Sequence, residues 1–256
     1  MWRGKSVSVV FPTYNEKDSI RAVIGDFFAT EVVDEIVVVD NNAAAGTMNE
    51  VLQTDAILVR QPEQGYGYAI QRGLEVASGD YLIVSEPDGT FSGRDVVKLL
   101  AYAEDCDVVY GTRTHREFIW AGANMGWFLK WGNYAAAKIM EFSFNTSTLS
   151  DVGCTMRLLS RSAFEEIRPH FSVGGSAFGL EMMLLSLIRR LRVVQVPVNY
   201  TVRVGQSSVT GDRAKAVRLG LQMLWLIADY RIRSLFGRHP ACLRAPGSRR
   251  SRAPHG

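Results

Sequence analysis

Short apolar runs alternate with stretches of helical periodicity through the first half of the chain. Ser6 to Phe11 (SVSVVF), Glu35 to Val39 (EIVVV), Ala56 to Val59, Tyr81 to Val84 and Asp107 to Tyr110 are β-rich with few charges, the pattern of strands buried on both faces. Between the first two, Ile20, Val23, Ile24 and Phe27 recur at i, i+3, i+4, i+7 and predict a helix over Glu16–Phe28. Tyr68–Ala77, bracketed by Gly65, Gly67 and Gly79, and a segment from about Arg94 to Ala103 supply two more. Such alternation predicts an α/β domain with a doubly wound, mainly parallel sheet.

The second half changes character. Phe118 to Phe144 is rich in Trp, Phe, Met and Ala with Lys130 and Lys138 along it, which predicts one or two amphipathic helices. Asp151–Leu159 reads as a strand, Ala177–Arg190 and Asp212–Leu235 as helices, with an extended run from Val193 to Val204 between them. Trp120, Trp127 and Trp131, interleaved with Lys130, suit either a packed core or a helix lying at a lipid interface.

Composition narrows the class. At 256 residues and 47% apolar content the chain can bury a full core. Net charge is +3, but the tail from Gly237 to Gly256 holds five arginines and no acid; without it 24 bases face 26 acids. We therefore divide the chain into a domain over 1–236 and a basic tail over 237–256, expected to be disordered. Three widely spaced cysteines, Cys106, Cys154 and Cys242, contain no CxxC pair and argue against a disulfide framework or a structural zinc. The apolar run before Pro12 is too short for the core of a signal peptide, and no segment has the ~18 apolar residues of a spanning helix. These features predict a cytoplasmic protein, soluble or peripheral on the inner face of the membrane. Its basic residues are not interleaved with stacking aromatics in a recognisable module, so no nucleic acid is expected as partner. Oligomeric state is not legible.

Ligands of open α/β sheets bind at the carboxyl ends of the strands, and polar residues gather there. Thr13, Tyr14, Asn15 and Glu16 follow the first strand, Asp40 and Asn42 the second, and Glu86-Pro87-Asp88-Gly89 the fourth. Two carboxylates one residue apart can converge on a hard cation through oxygen ligands, and such a cation makes a diphosphate a better leaving group. Pro-Asp-Gly alone also fits a plain surface turn; the position at the sheet edge favours the metal. Asp40 suits a nucleobase or ribose donor, or a cap on the next turn. Glu16 suits a helix cap or a ribose hydroxyl. Gly65 and Gly67 suggest close backbone approach to a ligand, without the G-x-G-x-x-G of a dinucleotide site. Leu187 to Arg218 holds seven bases and one acid, and Arg203, ahead of Gly205-Gln206-Ser207-Ser208, suits a phosphate.

These motifs, in this order, resemble those of inverting GT-A glycosyltransferases. The segments are Val10-Phe11-Pro12-Thr13-Tyr14-Asn15-Glu16, Glu35 to Asn42, Gly65-Tyr66-Gly67 with Ala69 and Gly73, and Glu86-Pro87-Asp88-Gly89. The likeness continues through Tyr110-Gly111-Thr112-Arg113, Ser150 to Arg157 and Val202 to Ser208, and so covers roughly residues 5–236. Within that class the chain is most similar to the polyprenyl-phosphate branch, which includes dolichyl-phosphate mannose synthases and bacterial polyprenyl-phosphate glucosyltransferases.

The resemblance implies a GT-A fold with C-terminal amphipathic helices. It implies a UDP- or GDP-sugar donor, Mg²⁺ or Mn²⁺ on Glu86 and Asp88, and transfer with inversion to a lipid phosphate at a membrane or beside a membrane partner protein. Pro12, Thr13, Tyr14, Glu16, Asp40, Asn42, Gly65, Gly67, Glu86 and Arg113 would then line the donor. Arg113, Arg157, Arg203 and Ser207 would meet an acceptor phosphate, and Asp88, Asp151 and Arg203 would carry catalysis. Two positions depart from the family pattern: Glu86 replaces the first acid of Asp-x-Asp, and Tyr66 stands where a lysine is common. A hydroxyl acceptor would need a base, for which Asp151 is the candidate, unless it is tied up in a salt bridge to Arg157 or a loop cap. A sugar nucleotidyltransferase is disfavoured, because no basic glycine-rich loop follows the first strand. A catalytically inactive nucleotide-sugar-binding subunit at the membrane is the reading from another class.

Overall fold

The computed structural model describes residues 1–119, 127–146, 148–205 and 213–236. Trp120, Ser207 with its neighbours through Asp212, and the basic tail therefore lie outside the described residues. Seven strands are present among those described: β1 (Val7–Thr13), β2 (Glu35–Asp40), β3 (Ile57–Arg60), β4 (Tyr81–Val84), β5 (Val108–Thr112), β6 (Arg157–Ser160) and β7 (Val193–Pro197). They form one sheet of order β3-β2-β1-β4-β6-β5-β7. Every neighbouring pair is parallel except those made by β6, which runs antiparallel between β4 and β5.

The period of two along each strand decides which layer a side chain joins. Val7, Val9 and Phe11 of β1, Ile36 and Val38 of β2, and Tyr81 and Ile83 of β4 face α1 (Ile20–Phe28) and α4 (Asp95–Tyr102). Val10, Val37, Val39, Leu82 and Val84 point the other way, into a larger layer. That layer holds α3 (Tyr66–Val76), α5 (Trp127–Phe144), α6 (Arg161–Ile167), α7 (Phe178–Ile188) and α8 (Arg213–Leu235). A short α2 (Thr47–Val51) follows Gly46, whose φ is +89°. Helix α3 lies so close to the sheet that a methyl on Gly73 would overlap Val10 Cγ1 and come within 2.9 Å of Val39 Cγ2.

Helix α7 is apolar on all sides because neighbours surround it, and nearly all of it is buried. Its one acid, Glu181, is fully buried. It accepts hydrogen bonds from Ser172 N (2.9 Å), Ser172 Oγ (2.6 Å), Val173 N (3.0 Å) and Tyr230 Oη of α8 (2.5 Å). A single carboxylate thus joins α7, α8 and the segment before α7.

Two expected elements are shorter than their apolar patterns. The strand predicted over Asp151–Leu159 begins only at Arg157, because Asp151 to Met156 form a turn around an ion pair. The extended run from Val193 leaves the sheet after Pro197. Helix α6 was not predicted; Ser160 caps it, its Oγ accepting from Ala163 N at 3.2 Å. The packing of α3 gives a test: Gly73→Ala should cost about 1–3 kcal/mol through overpacking, read as a lower urea midpoint with unchanged slope. An unchanged midpoint would contradict the close approach of α3 to β1.

Candidate active site

Strands β1, β2 and β4 end side by side, with Thr13 in register with Asp40 and Val10 in register with Val84. Because β4 pairs only as far as Val10, one edge of β1 is open beyond it, and Pro12 sits there without costing a ladder bond. Ser85 N donates to Val10 O at 3.1 Å, and the chain then turns through Glu86-Pro87-Asp88. Gly89, at φ +81°, supplies the left-handed residue that completes the turn. Ser19 Oγ, before α1, donates to Pro87 O at 2.7 Å and braces the turn from the side.

Asp88 is buried, and its two oxygens are used differently. Oδ1 accepts from Thr90 N (2.9 Å) and Thr90 Oγ1 (2.6 Å). Oδ2 has no hydrogen bond of acceptable geometry but lies 2.6 Å from Arg203 Nη2. The same nitrogen donates to Glu86 Oε2 at 2.9 Å. Arg203 is delivered by the segment 198–205, which is bonded to the acidic turn on either side of it, at Thr201 and Val204. Thr201 N donates to Thr90 O (2.9 Å), Thr201 Oγ1 to Gly89 O (2.6 Å), and Val204 N to Asp88 O (2.9 Å). Burial pushes the Glu86 carboxyl up to about 8, the Asp88 charge adds to this, and Arg203 opposes it.

The acidic pair fits a divalent cation. Asp88 Oδ2 is a buried hard oxygen whose charge partner is Arg203 at 2.6 Å, next to a second carboxylate that its charge disfavours. No cluster of three or more acid, His or Cys ligands exists among the described residues. Two carboxylates with open positions are the donor set of Mg²⁺-type ions that complete their shells with water and substrate phosphates.

The loop after β1 is organised by Glu16, whose carboxylate folds back to accept from Tyr14 N (2.6 Å) and Asn15 N (2.8 Å). Its carboxyl is raised above the usual range, by burial first and by Asp88 further down, against the two N–H bonds and Arg203. Thr13 Oγ1 donates to Val39 O at 2.7 Å, and Tyr14 is exposed. Asp40 Oδ1 accepts from Ala43 N at 3.0 Å as a turn cap. Asn42, at φ +57°, donates to Pro62 O and Gln64 Oε1 at 3.2 and 3.0 Å, which is structural work.

Gly65 and Gly67 serve a different purpose from the expected one. A methyl on Gly67 would meet Val173 O at 2.5 Å, and one on Gly65 would overlap Gly174 O. Gly174 O accepts from Gly67 N (2.8 Å) and Tyr68 N (3.2 Å). The close backbone approach is therefore made by the protein's own segment before α7, and these donors of α3 are already satisfied.

Arg113 and Asp151 form a buried fork. Arg113 Nε and N reach Asp151 Oδ2 at 2.9 and 3.0 Å, and Nη2 reaches Oδ1 at 3.0 Å. The Arg113 guanidinium also lies 5.2 Å from the Tyr200 ring centroid. Burial alone would raise the Asp151 carboxyl, but Arg113 outweighs it and holds the group below the usual range. Asp151 is thus an ion-pair partner of Arg113, not of Arg157, and is poorly suited to be a base. Arg157 is buried and donates to carbonyls of Cys154, Val152 and Gly179. Its fork is spent on the backbone, which removes it from the acceptor-phosphate set.

Three residues were not anticipated. Asn41, buried, donates to Gln61 O and Glu63 O (2.8 and 2.7 Å) and accepts from Gln64 Nε2 and Gly65 N (3.1 and 2.9 Å), shaping the loop before α3. Tyr66 senses both Glu86 and Asp88; burial and then the Glu86 charge keep its hydroxyl protonated. Tyr200 backs Arg113. Asn41 had a signal, an amide at a strand end. Tyr66 stood out only as the replacement of a common lysine, and Tyr200 had no signal, since their partners are distant in sequence.

A mainly parallel sheet with one antiparallel strand beside the acidic turn, and a paired carboxylate motif at its carboxyl edge, defines the GT-A class of glycosyltransferase fold. The chain belongs to glycosyl transferase family 2, whose model matches residues 8–168. It is 27% identical over 213 residues to the low-salt glycan biosynthesis hexosyltransferase Agl6 of Haloferax volcanii, across 80% of this chain and 50% of that one. The chain thus spans about half the length of that relative. It is 26% identical over 228 residues to an uncharacterized glycosyltransferase of Mycobacterium tuberculosis, across 88% of this chain and 98% of that one. Among solved structures it resembles glucosyl-3-phosphoglycerate synthase of M. tuberculosis in complex with Mn²⁺, UDP and phosphoglyceric acid. That match has a TM-score of 0.66 and 17% identity over 95% of this chain and 81% of that one. The UDP complex of the same synthase gives a TM-score of 0.68 at 18% identity, over 89% and 80% of the two chains.

The Arg113–Asp151 fork yields a stability prediction. Asp151→Asn leaves a buried guanidinium uncompensated and should cost about 3–5 kcal/mol in urea unfolding. Because the folded Asp151 carboxyl lies below its unfolded value, its contribution is present above the ordinary carboxylate range and is lost as pH falls through the folded value. The acid limb of the wild-type stability curve should therefore flatten in Asp151→Asn. A variant as stable as the wild type would exclude a structural role for the fork.

Proposed function

We propose that the chain transfers a sugar, with inversion, from a UDP- or GDP-sugar to a polyprenyl phosphate, assisted by Mg²⁺ or Mn²⁺ on Glu86 and Asp88. The observation that carries this reading is the convergence of Arg203 on both carboxylates at 2.9 and 2.6 Å. It brings two acids and a phosphate-seeking guanidinium to one point of the sheet edge where nucleotides bind in such folds. When bound, a divalent cation supplies charge that neutralises the departing nucleoside diphosphate. The relatives solved with UDP and Mn²⁺ or Mg²⁺ support the donor and metal assignment.

The acceptor assignment rests on what Asp151 does. A sugar hydroxyl must lose its proton to a base, and the candidate base is locked on Arg113 with its affinity for protons lowered. An acceptor phosphate is already ionised near neutral pH and needs positioning instead of deprotonation. Pro12, Thr13, Tyr14, Glu16 and Asp40 then line the donor side, and Arg113 sits behind Tyr200 at its margin.

A lipid acceptor also fits the outer surface. Val217, Leu221, Leu224, Trp225, Ile232 and Leu235 are exposed along α8, and Trp131, Ile139 and Phe142 along α5, which packs against it. Arg218, Arg231 and Arg233 accompany α8, with Asp229 as its acid. An apolar stripe flanked by bases suits the headgroup region of an anionic bilayer. No helix among the described residues is long and apolar enough to cross one. We propose the cytoplasmic face of a membrane as its place of work, bound peripherally or beside a membrane partner.

A second reading is favoured by one observation, the likeness to a synthase solved with phosphoglyceric acid: the acceptor would be a small phosphorylated acid. A radiolabelled donor panel with Mn²⁺, offered polyprenyl phosphate and 3-phosphoglycerate in parallel, separates the two. Label entering the organic phase supports the lipid acceptor; label confined to the aqueous glycoside of phosphoglycerate overturns it. Asp88→Ala should lower turnover by about 10²-fold or more, as for loss of a group stabilising developing charge, and full activity would refute the metal site. On vesicles containing phosphatidylglycerol, Leu221→Ser with Trp225→Ser should reduce cosedimentation, as should high salt. Unchanged binding would remove α8 from the membrane contact.

A further inference from the structure

The acidic turn already has a cation of its own, and its placement constrains how the site loads. Asp88 Oδ1 is committed to Thr90, which leaves Oδ2 as the oxygen available to an incoming ion. Arg203 Nη2 sits 2.6 Å from that oxygen and 2.9 Å from Glu86 Oε2. The backbone that carries it is held by bonds of Thr201 and Val204 to the acidic turn itself, which leaves the side chain to pair with the two acids. Glu16 is the next carboxylate whose charge reaches Arg203.

We propose that Arg203 is an internal counter-ion that makes Glu86 and Asp88 select a metal–nucleotide complex over the free metal. This rests on the metal-site reading above. A divalent ion within ligand distance of Oδ2 would meet the guanidinium on the same oxygen, and two like charges cannot share it without loss. A free ion must therefore displace Arg203 with nothing to receive it. An ion arriving with a diphosphate brings the receiver, because phosphate oxygens accept from the guanidinium nitrogen that the two carboxylates had shared. Metal and nucleotide then raise each other's affinity by the same factor, as linkage requires, and Arg203 is handed from the acidic pair to the phosphates in the same event. Before loading, the ion pair also relieves the repulsion between the two carboxylates. Arg203 is in this sense a specificity-determining residue: it discriminates against metal without donor.

The experiment is a Mn²⁺ titration of the full chain, followed by the electron paramagnetic resonance signal of free Mn²⁺, with and without UDP. In the wild type, UDP should tighten Mn²⁺ binding about 5–150-fold, the usual size of a coupling between sites. Arg203→Ala should bind Mn²⁺ more tightly than the wild type without UDP and gain much less from UDP. Arg203→Gln, which keeps reach and hydrogen bonding but not charge, should behave as Arg203→Ala does, and Arg203→Lys should stay near the wild type. Asp88→Asn should abolish Mn²⁺ binding throughout. If Asp88→Asn abolishes binding but neither neutral variant binds Mn²⁺ more tightly without UDP, the counter-ion role is overturned and the metal site stands. If Asp88→Asn binds Mn²⁺ like the wild type, both fall.

Discussion

Two carboxylates at the end of a strand buried on both faces create a concentration of negative charge where water is scarce, and the fold answers it with a guanidinium from 117 residues along the chain. That demand organises the sheet edge. It fixes the course of segment 198–205, which is bonded to the acidic turn at Asp88, Gly89 and Thr90. It draws in Glu16 and Tyr66, whose protonation the same charges influence. Since the Asp88 charge raises the proton affinity of Glu86, a cation at this point relieves the pair whatever its source, from the chain or from solution.

A second charge pair does a different job. Arg113 and Asp151 satisfy each other in the interior, and Arg157 satisfies a row of carbonyls. A buried pair of this kind is costly to break and adds little net stability when whole, so its value lies in defining one arrangement of the turn before β6. The consequence for chemistry is subtraction. A carboxylate that seemed available for proton transfer is committed to Arg113.

A third network runs from α8 to the carboxyl edge of the sheet. Tyr230 of α8 donates to Glu181 of α7, which holds Ser172 and Val173, and the adjoining Gly174 carbonyl caps α3 through Gly67. Asn41 at the end of β2 completes it by holding Gly65. The helix that carries the exposed apolar stripe is thereby connected through hydrogen bonds to the loop before α3 at the carboxyl edge of the sheet. This continuity is structural, and it explains why the glycines around Tyr66 must be glycines.

Hydrophobic periodicity determined the strands, α1, α3, α4, α7 and α8, and the doubly wound sheet, because burial on one or two faces is written in the spacing of apolar residues. It also placed Glu86 and Asp88 at a carboxyl edge, since a strand end is a local feature. Strand order, the antiparallel insertion of β6 and the short helices α2 and α6 were not legible, as they depend on packing and on caps rather than on period. The roles of Asp151, Arg157, Gly65 and Gly67 were decided only in three dimensions. In each, the partner lies in another element, Arg113 for Asp151 and Gly174 for Gly67. A residue's type states what bonds it can make, whereas which partner reaches it first is a property of the folded chain. For Glu86-Pro87-Asp88 the sequence identified two acids wanting a cation, and the tertiary structure supplied Arg203.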